Sequence, residues 1–319
     1  MRIYKTLLAG TAAIAISSSA WADGGPAPEP APPPPPPPEP APAHEEPAPA
    51  PSHNDFVLVL ELGAGWLFTD VGAGTGPDPD DNNFPLIEGA GRANVPLSDD
   101  WALQFDAEGL AAFPSRDDGE DNLQTAFSGA AHVNWRQPDH AIGILGHIGT
   151  VTGGELEKIN FYNLGGEALY NWTDFTVLGQ AGYFWADDDN NDDVMDEAWW
   201  VRGVGRFYAG ADTRVQFEGA YGDGEERNSG GIDVTAISWG ARIDHSVSGG
   251  PVAFFLSYAG NHMDNDDSAD NYLTDHTVLA GLRIHFGDAG SLKESDRNGP
   301  SFDTPDVTRW VGWTSEVVE

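Results

Sequence analysis

Between residues 55 and 287 apolar and polar side chains alternate with a period of two, and no useful length shows the 3.6-residue period of a helix. The alternating runs are 55–69, 84–97, 100–113, 123–136, 139–152, 157–172, 174–186, 197–209, 213–222, 231–245, 250–262 and 272–287. They predict twelve strands, mostly long for a soluble domain but suited to tilted strands crossing a bilayer. The connections alternate too. Ser98-Asp99, Gln137-Pro138, Thr173, 210–212 and 246–249 are short, and the segments between them are mostly longer and acidic. Tight turns at one end and longer loops at the other predict a single antiparallel transmembrane β-barrel, an all-β fold in which ten or fourteen strands would belong to the same class.

Each strand has an apolar and a polar face. In the last one Val278, Ala280, Leu282, Ile284 and Phe286 oppose Thr277, Gly281, Arg283 and His285. Period alone does not say which face is inside. Tryptophan placement does: Trp66, Trp101, Trp135, Trp172, Trp185 and Trp199 fall by parity on the apolar face and near strand ends. That is the pattern of two interfacial aromatic girdles, and it turns the apolar face outward to lipid. Trp239 sits mid-strand and departs from it.

Composition sharpens the picture. Arg2 and Lys5, the apolar run 7–16 and Ala20-Trp21-Ala22 read as a signal peptide over 1–22, with cleavage between Ala22 and Asp23. The competing reading is an N-terminal anchor helix. Residues 23–54 form a disordered Pro/Ala/Glu linker. Its polyproline II conformation, at about 3.1 Å per residue, gives a reach on the order of 90 Å. It would tether the barrel to the cell wall or a periplasmic protein, or else be a solvated tail. Residues 55–287 are the barrel, and 288–319 a polar periplasmic tail with Trp310 and Trp313, which could dock a partner, fold back into the lumen or stay loose, the last being the expectation.

There are 51 Asp plus Glu against 15 Lys plus Arg and no cysteine. Removing Arg2 and Lys5 moves the formal charge from −36 to −38, which excludes nucleic acid as a partner. Without cysteine there is no lipoprotein anchor, disulfide or thiolate metal site. Much of the acid lies in loops, as in Asp187 to Asp193 and Asp264 to Asp267. These fail the EF-hand spacing, with Asp192 where Gly belongs and Ala198 where Glu belongs, so no cofactor or metal site is expected beyond weak association of divalent cations.

By parity the lumen carries an acidic wall of Glu61, Glu88, Asp106 and Glu108, with Arg92 among them. Across from it stands a basic wall of Arg202, Arg206, Arg214, Arg242 and Arg283. The seam between last and first strands brings Arg283 beside Glu61. Pairing of these charges would plug the lumen; leaving them apart would make a selective pore. Ser128, His132 and His147 also point inward, but Ser128 and His132 lie about 13 Å apart along one strand, too far for a nucleophile and its base, so no catalytic residue is expected.

The segment 277–286, ending in an outward Phe286, resembles the closing strand of outer-membrane barrels, which the assembly machinery reads. With the signal and the alternating loops, the chain resembles the porin-like outer-membrane proteins of Gram-negative bacteria. The resemblance implies an outer-membrane location among lipid and lipopolysaccharide. It also implies a passive pore or narrow channel for small hydrophilic solutes, in which opposing charged walls orient the solute. The alternative is a non-conducting structural or adhesive barrel with a plugged lumen. An outer-membrane lipase-type enzyme is the remaining, weaker reading.

Overall fold

The computed structural model describes residues 55–71, 82–113, 123–153, 156–188, 195–226, 232–247, 250–265, 272–287 and 290–311. The expected signal peptide and cleavage site, the expected Pro-rich linker, most of the acidic loop residues and Trp313 lie outside these.

Twelve strands run in chain order: β1 (Val57–Val71), β2 (Asn82–Pro96), β3 (Trp101–Ala112), β4 (Gln124–Arg136), β5 (His140–Gly153) and β6 (Leu156–Asn171), then β7 (Phe175–Asp188), β8 (Met195–Tyr208), β9 (Thr213–Glu226), β10 (Ile232–Ser246), β11 (Val252–Asn265) and β12 (Tyr272–Gly287). Each pairs antiparallel with its sequence neighbours, and β12 pairs back onto β1 to close the barrel. Closure removes both sheet edges, so every strand backbone finds a partner where water is absent. Two short helices follow, α1 (Leu292–Asn298) and α2 (Thr308–Val311).

The exterior is apolar. Leu62 is 65% exposed, Ile148 61% and Phe217 60%, and similar side chains surround the barrel. A continuous band of such residues has no place in water and marks a lipid-facing wall. Trp101 lies opposite Trp135 in register next to the short turns, and Trp172 packs on Tyr170 at the same end. Trp66, Trp185 and Trp199 are exposed nearer the other end, where Trp185 stacks on Tyr162 and Trp199 meets Tyr221. Trp239 also faces outward, donating to the Tyr258 hydroxyl (3.3 Å). Phe286 is outward and lies opposite Leu58 on β1.

The closing seam sets Glu61 opposite Arg283 in register. Glu61 Oε2 accepts from Arg242 Nη1 at 2.7 Å, and Oε1 lies 3.6 Å from Arg283 Nε. Removing one member of a buried ion pair leaves a charge uncompensated. Glu61→Ala should therefore cost about 3 kcal/mol of barrel stability, and Glu61→Gln less, read as the shift in urea midpoint of the refolded protein.

Candidate functional site in the barrel lumen

The lumen is occupied by the chain's own C-terminal segment. The loose tail expected from its polar composition is corrected over residues 290–311. The sequence shows the tail's polarity and the charged wall, but not that the one folds back onto the other.

Ser291 caps α1 by accepting from the Glu294 N–H (3.2 Å), and the Gly299 N–H returns to the Ser295 carbonyl (3.0 Å). The helix lies at the short-turn mouth. Lys293 N–H donates to the Ala211 carbonyl (3.1 Å), Lys293 Nζ reaches Asp174 (2.9 Å), and Arg297 donates to the Phe175 carbonyl (3.3 Å). The Asp55 N–H donates to the Asn298 carbonyl (3.0 Å), pinning the start of the barrel to the end of α1. Gly299 lies against Val57, whose Cβ would be 2.7 Å from any added Cβ.

From there the chain rises through the barrel. Gln104 brackets Phe302, accepting from its N–H (3.2 Å) and donating to its carbonyl (2.5 Å). Thr304 donates to Asp106 (2.8 Å), and Gln180 to the Asp303 carbonyl (2.8 Å). Arg309 pairs with Asp275 (2.6 Å) and donates to Thr277 (2.7 Å). Trp310 donates from Nε1 to Ser238 (2.9 Å) and packs with Val307 and Val311 in a buried cluster that includes Phe184, Trp200 and Met263. The wall makes room for it: a Cβ at Gly222 would meet the Trp310 ring at 2.8 Å.

Two carboxylates anchor the segment. Asp296 Oδ1 accepts from Arg214 (2.7 Å) and Arg283 (3.1 Å), and Oδ2 from the Tyr208 hydroxyl (2.7 Å). Asp303 accepts from Arg92 and from Gln216 (3.2 Å), and lies 2.7 Å from Arg206 Nη2. Burial by itself would raise both carboxyl pKa values. The guanidiniums of Arg214, Arg206 and Arg283 around Asp296, and of Arg206, Arg92, Arg202 and Arg214 around Asp303, outweigh it and hold both well below the usual carboxylate range.

All nine expected wall residues face the lumen, but their charges are interleaved. Asp244 lies among Arg214 (2.9 Å), Arg242 (2.8 Å) and Arg283 (3.8 Å), and Arg202 pairs with Glu218. Among the described residues Glu88 and Glu108 form no ion pair. His132 is held between Glu167 (3.0 Å) and Asp106 (3.5 Å), and His147 lies edge-on to Phe161; neither bonds to a serine. No group of three metal-ligating side chains is assembled among the described residues. Sequence reasoning noted Trp310 and a fold back into the lumen as one option for the tail, but missed Asp296, Phe302 and Asp303. The available signal was the excess of inward arginines over inward acids on strands eight to twelve, which demanded a counter-charge from elsewhere.

No protein-family model matches the chain, and no curated protein matches it in sequence. Among solved structures it is similar to the COG4313 outer membrane channel from Pseudomonas putida F1, at 12% identity and a TM-score of 0.52, over 73% of this chain and 96% of that one. The CymD monoaromatic hydrocarbon channel aligns at 8% identity and 0.45, over 74% and 90%. The β domain of the Bordetella autotransporter BrkA aligns at 10% and 0.43, over 73% and 100%. The first of these matches carries the fold, and with the lipid-type exterior it makes the chain a β-barrel of the outer-membrane class.

Truncating a buried tryptophan typically costs 3–5 kcal/mol. Trp310→Ala should therefore expose the segment to trypsin at Arg309 and Arg297 while the barrel stays folded, and Gly222→Val should do the same by filling the socket. Equal cleavage rates in parent and variants would contradict the docking. Because both anchoring carboxyls titrate below their unfolded value of about 3.9, their contribution is complete above that pH and fades as pH falls through the folded values. Trypsin-free probes of docking, such as Trp310 fluorescence, should stay level from pH 8 to about 5 and change only below about 4.

Proposed function

We propose that the protein is an outer-membrane channel for small hydrophilic solutes, closed in this state by residues 290–311. The observation that carries this reading is what fills the lumen. Among the described residues a polypeptide segment with two short helices runs through it, bonded to side chains of β2, β3, β8, β9, β10 and β12. If that segment withdraws, the space it leaves is at least the width of a chain with its side chains, about 10 Å where it is helical. Around Asp296 and Asp303 the wall it exposes is charged, with Arg92, Arg206, Arg214 and Arg283, and farther along it is apolar, with Phe161, Phe184, Trp200 and Met263. The similarity in fold to the Pseudomonas putida outer membrane channel accords with this. No catalytic role is proposed.

The segment is held by charge and hydrogen bonds, which an aqueous solute can replace, and by two buried aromatic anchors, Phe302 and Trp310. A permanently filled lumen would instead fit the structural or adhesive reading. Planar-bilayer recording separates them. The parent should be closed with brief openings, and Asp296→Asn with Asp303→Asn should raise the open fraction at least about tenfold, since each anchor is a charge-assisted contact of about 1.5–3 kcal/mol. No conductance from either protein would defeat the channel and leave the filled barrel.

A further inference from the structure

The receptors for the two carboxylates belong to the barrel wall. Arg92 comes from β2, Arg206 and Tyr208 from β8, Arg214 and Gln216 from β9, and Arg283 from β12. The segment supplies the two carboxylates and the Ser301 carbonyl, which accepts from Arg206 Nη1 (2.8 Å). Each carboxylate takes several donors, as a planar oxyanion does in a purpose-built receptor. The guanidiniums are buried, with Arg206 and Arg283 1% exposed and Arg214 2%. One guanidinium serves both receptors: Arg206 Nη2 lies 2.7 Å from Asp303 Oδ2, and its Nη1 lies 3.7 Å from Asp296 Oδ2. The two carboxylates therefore flank one guanidinium. Beside them Arg136 is buried with its Nη1 on Ser301 (3.2 Å) and its Nη2 without a hydrogen-bond partner. Arginine does not lose its proton in proteins. A lumen emptied of the segment therefore keeps these cations with too few counter-charges, and a small anion would restore the balance.

We propose that the wall carries two adjacent carboxylate-binding subsites, filled here by Asp296 and Asp303 as tethered stand-ins, and that the solutes taken are small di- and tricarboxylates. This rests on the channel reading. A molecule with two carboxylates that flank Arg206 as Asp296 and Asp303 do engages both subsites at once, which a monocarboxylate does not. Exchange of the segment for solute replaces carboxylate by carboxylate, so the desolvation terms largely cancel. The competition is then set by the effective concentration of the tethered segment, of millimolar order for a short linker. Solute at millimolar concentration displaces it.

The test uses the full-length chain refolded in detergent, with heat-modifiable gel migration confirming the folded barrel. Citrate, succinate and inorganic phosphate are titrated by calorimetry into the parent and into Asp296→Asn with Asp303→Asn. Citrate should bind the variant at least about tenfold more tightly than the parent, because the tethered competitor is weakened. Phosphate should bind more weakly than citrate, and adding Arg206→Gln should remove binding. Equal citrate affinity in parent and variant, tighter binding of phosphate, or binding that survives Arg206→Gln would overturn the proposal. Should the double variant lack the folded band, Asp303→Asn alone is read by the same criteria. Citrate binding without conductance would defeat the channel and leave the subsites; conductance without citrate binding would defeat the subsites and leave the channel.

Discussion

Buried arginine in the lumen is the constraint on which the rest depends. Arg206, Arg214 and Arg283 cannot shed their charge and are cut off from bulk water, so each needs an anion at hydrogen-bond distance, and the half-buried Arg92 takes one too. The wall supplies part of the answer through Glu61 and Asp244. The remainder comes from Asp296 and Asp303, seven residues apart on one segment. The path of that segment follows from this. Its helix sits at the mouth so that Asp296 meets three guanidiniums, and the extended stretch beyond Gly299 carries Asp303 to the next group.

The barrel divides two solvents, and its side chains follow that division. Outward positions carry Leu, Ile, Phe and Val in the middle and Trp and Tyr toward the ends, so burial in lipid adds to the apolar clusters inside the barrel. Inward positions carry polar groups whose cost of burial is offset only when they are paired. A barrel of this size leaves a gap down its middle that wall side chains do not close. The C-terminal segment closes it with a mixture matched to the wall: aspartates against arginines, the Phe302 backbone against Gln104, and Trp310 over Gly222. The match is with one's own chain, so it is made at high effective concentration and needs little intrinsic affinity.

Such a filling lends itself to exchange. Buried ion pairs contribute little net stability against an equally good replacement, while loss of one partner without replacement is costly. The segment is thus held firmly in the absence of an anion and loosely in its presence. The apolar contacts of Val307, Trp310 and Val311 lie farther along the lumen than the two aspartates and add an anchor that anions do not affect.

The sequence by itself determined the barrel. Period-two alternation, short and long connections in turn and tryptophans near strand ends gave twelve strands and the outward face, because lipid on one side and water on the other impose a local rule on every second residue. The Glu61–Arg283 seam was legible for the same reason, since register follows from strand order. Only the tertiary structure decided what the lumen holds. Asp296, Phe302, Asp303 and Trp310 lie in a stretch with no period, and in sequence they look like any polar tail with a few aromatics. Their partners are dispersed over β2, β3, β8, β9, β10 and β12, and become a single charged surface only when the barrel closes. A local pattern records the solvent a residue meets, and the filling of the lumen depends on which distant residues meet each other.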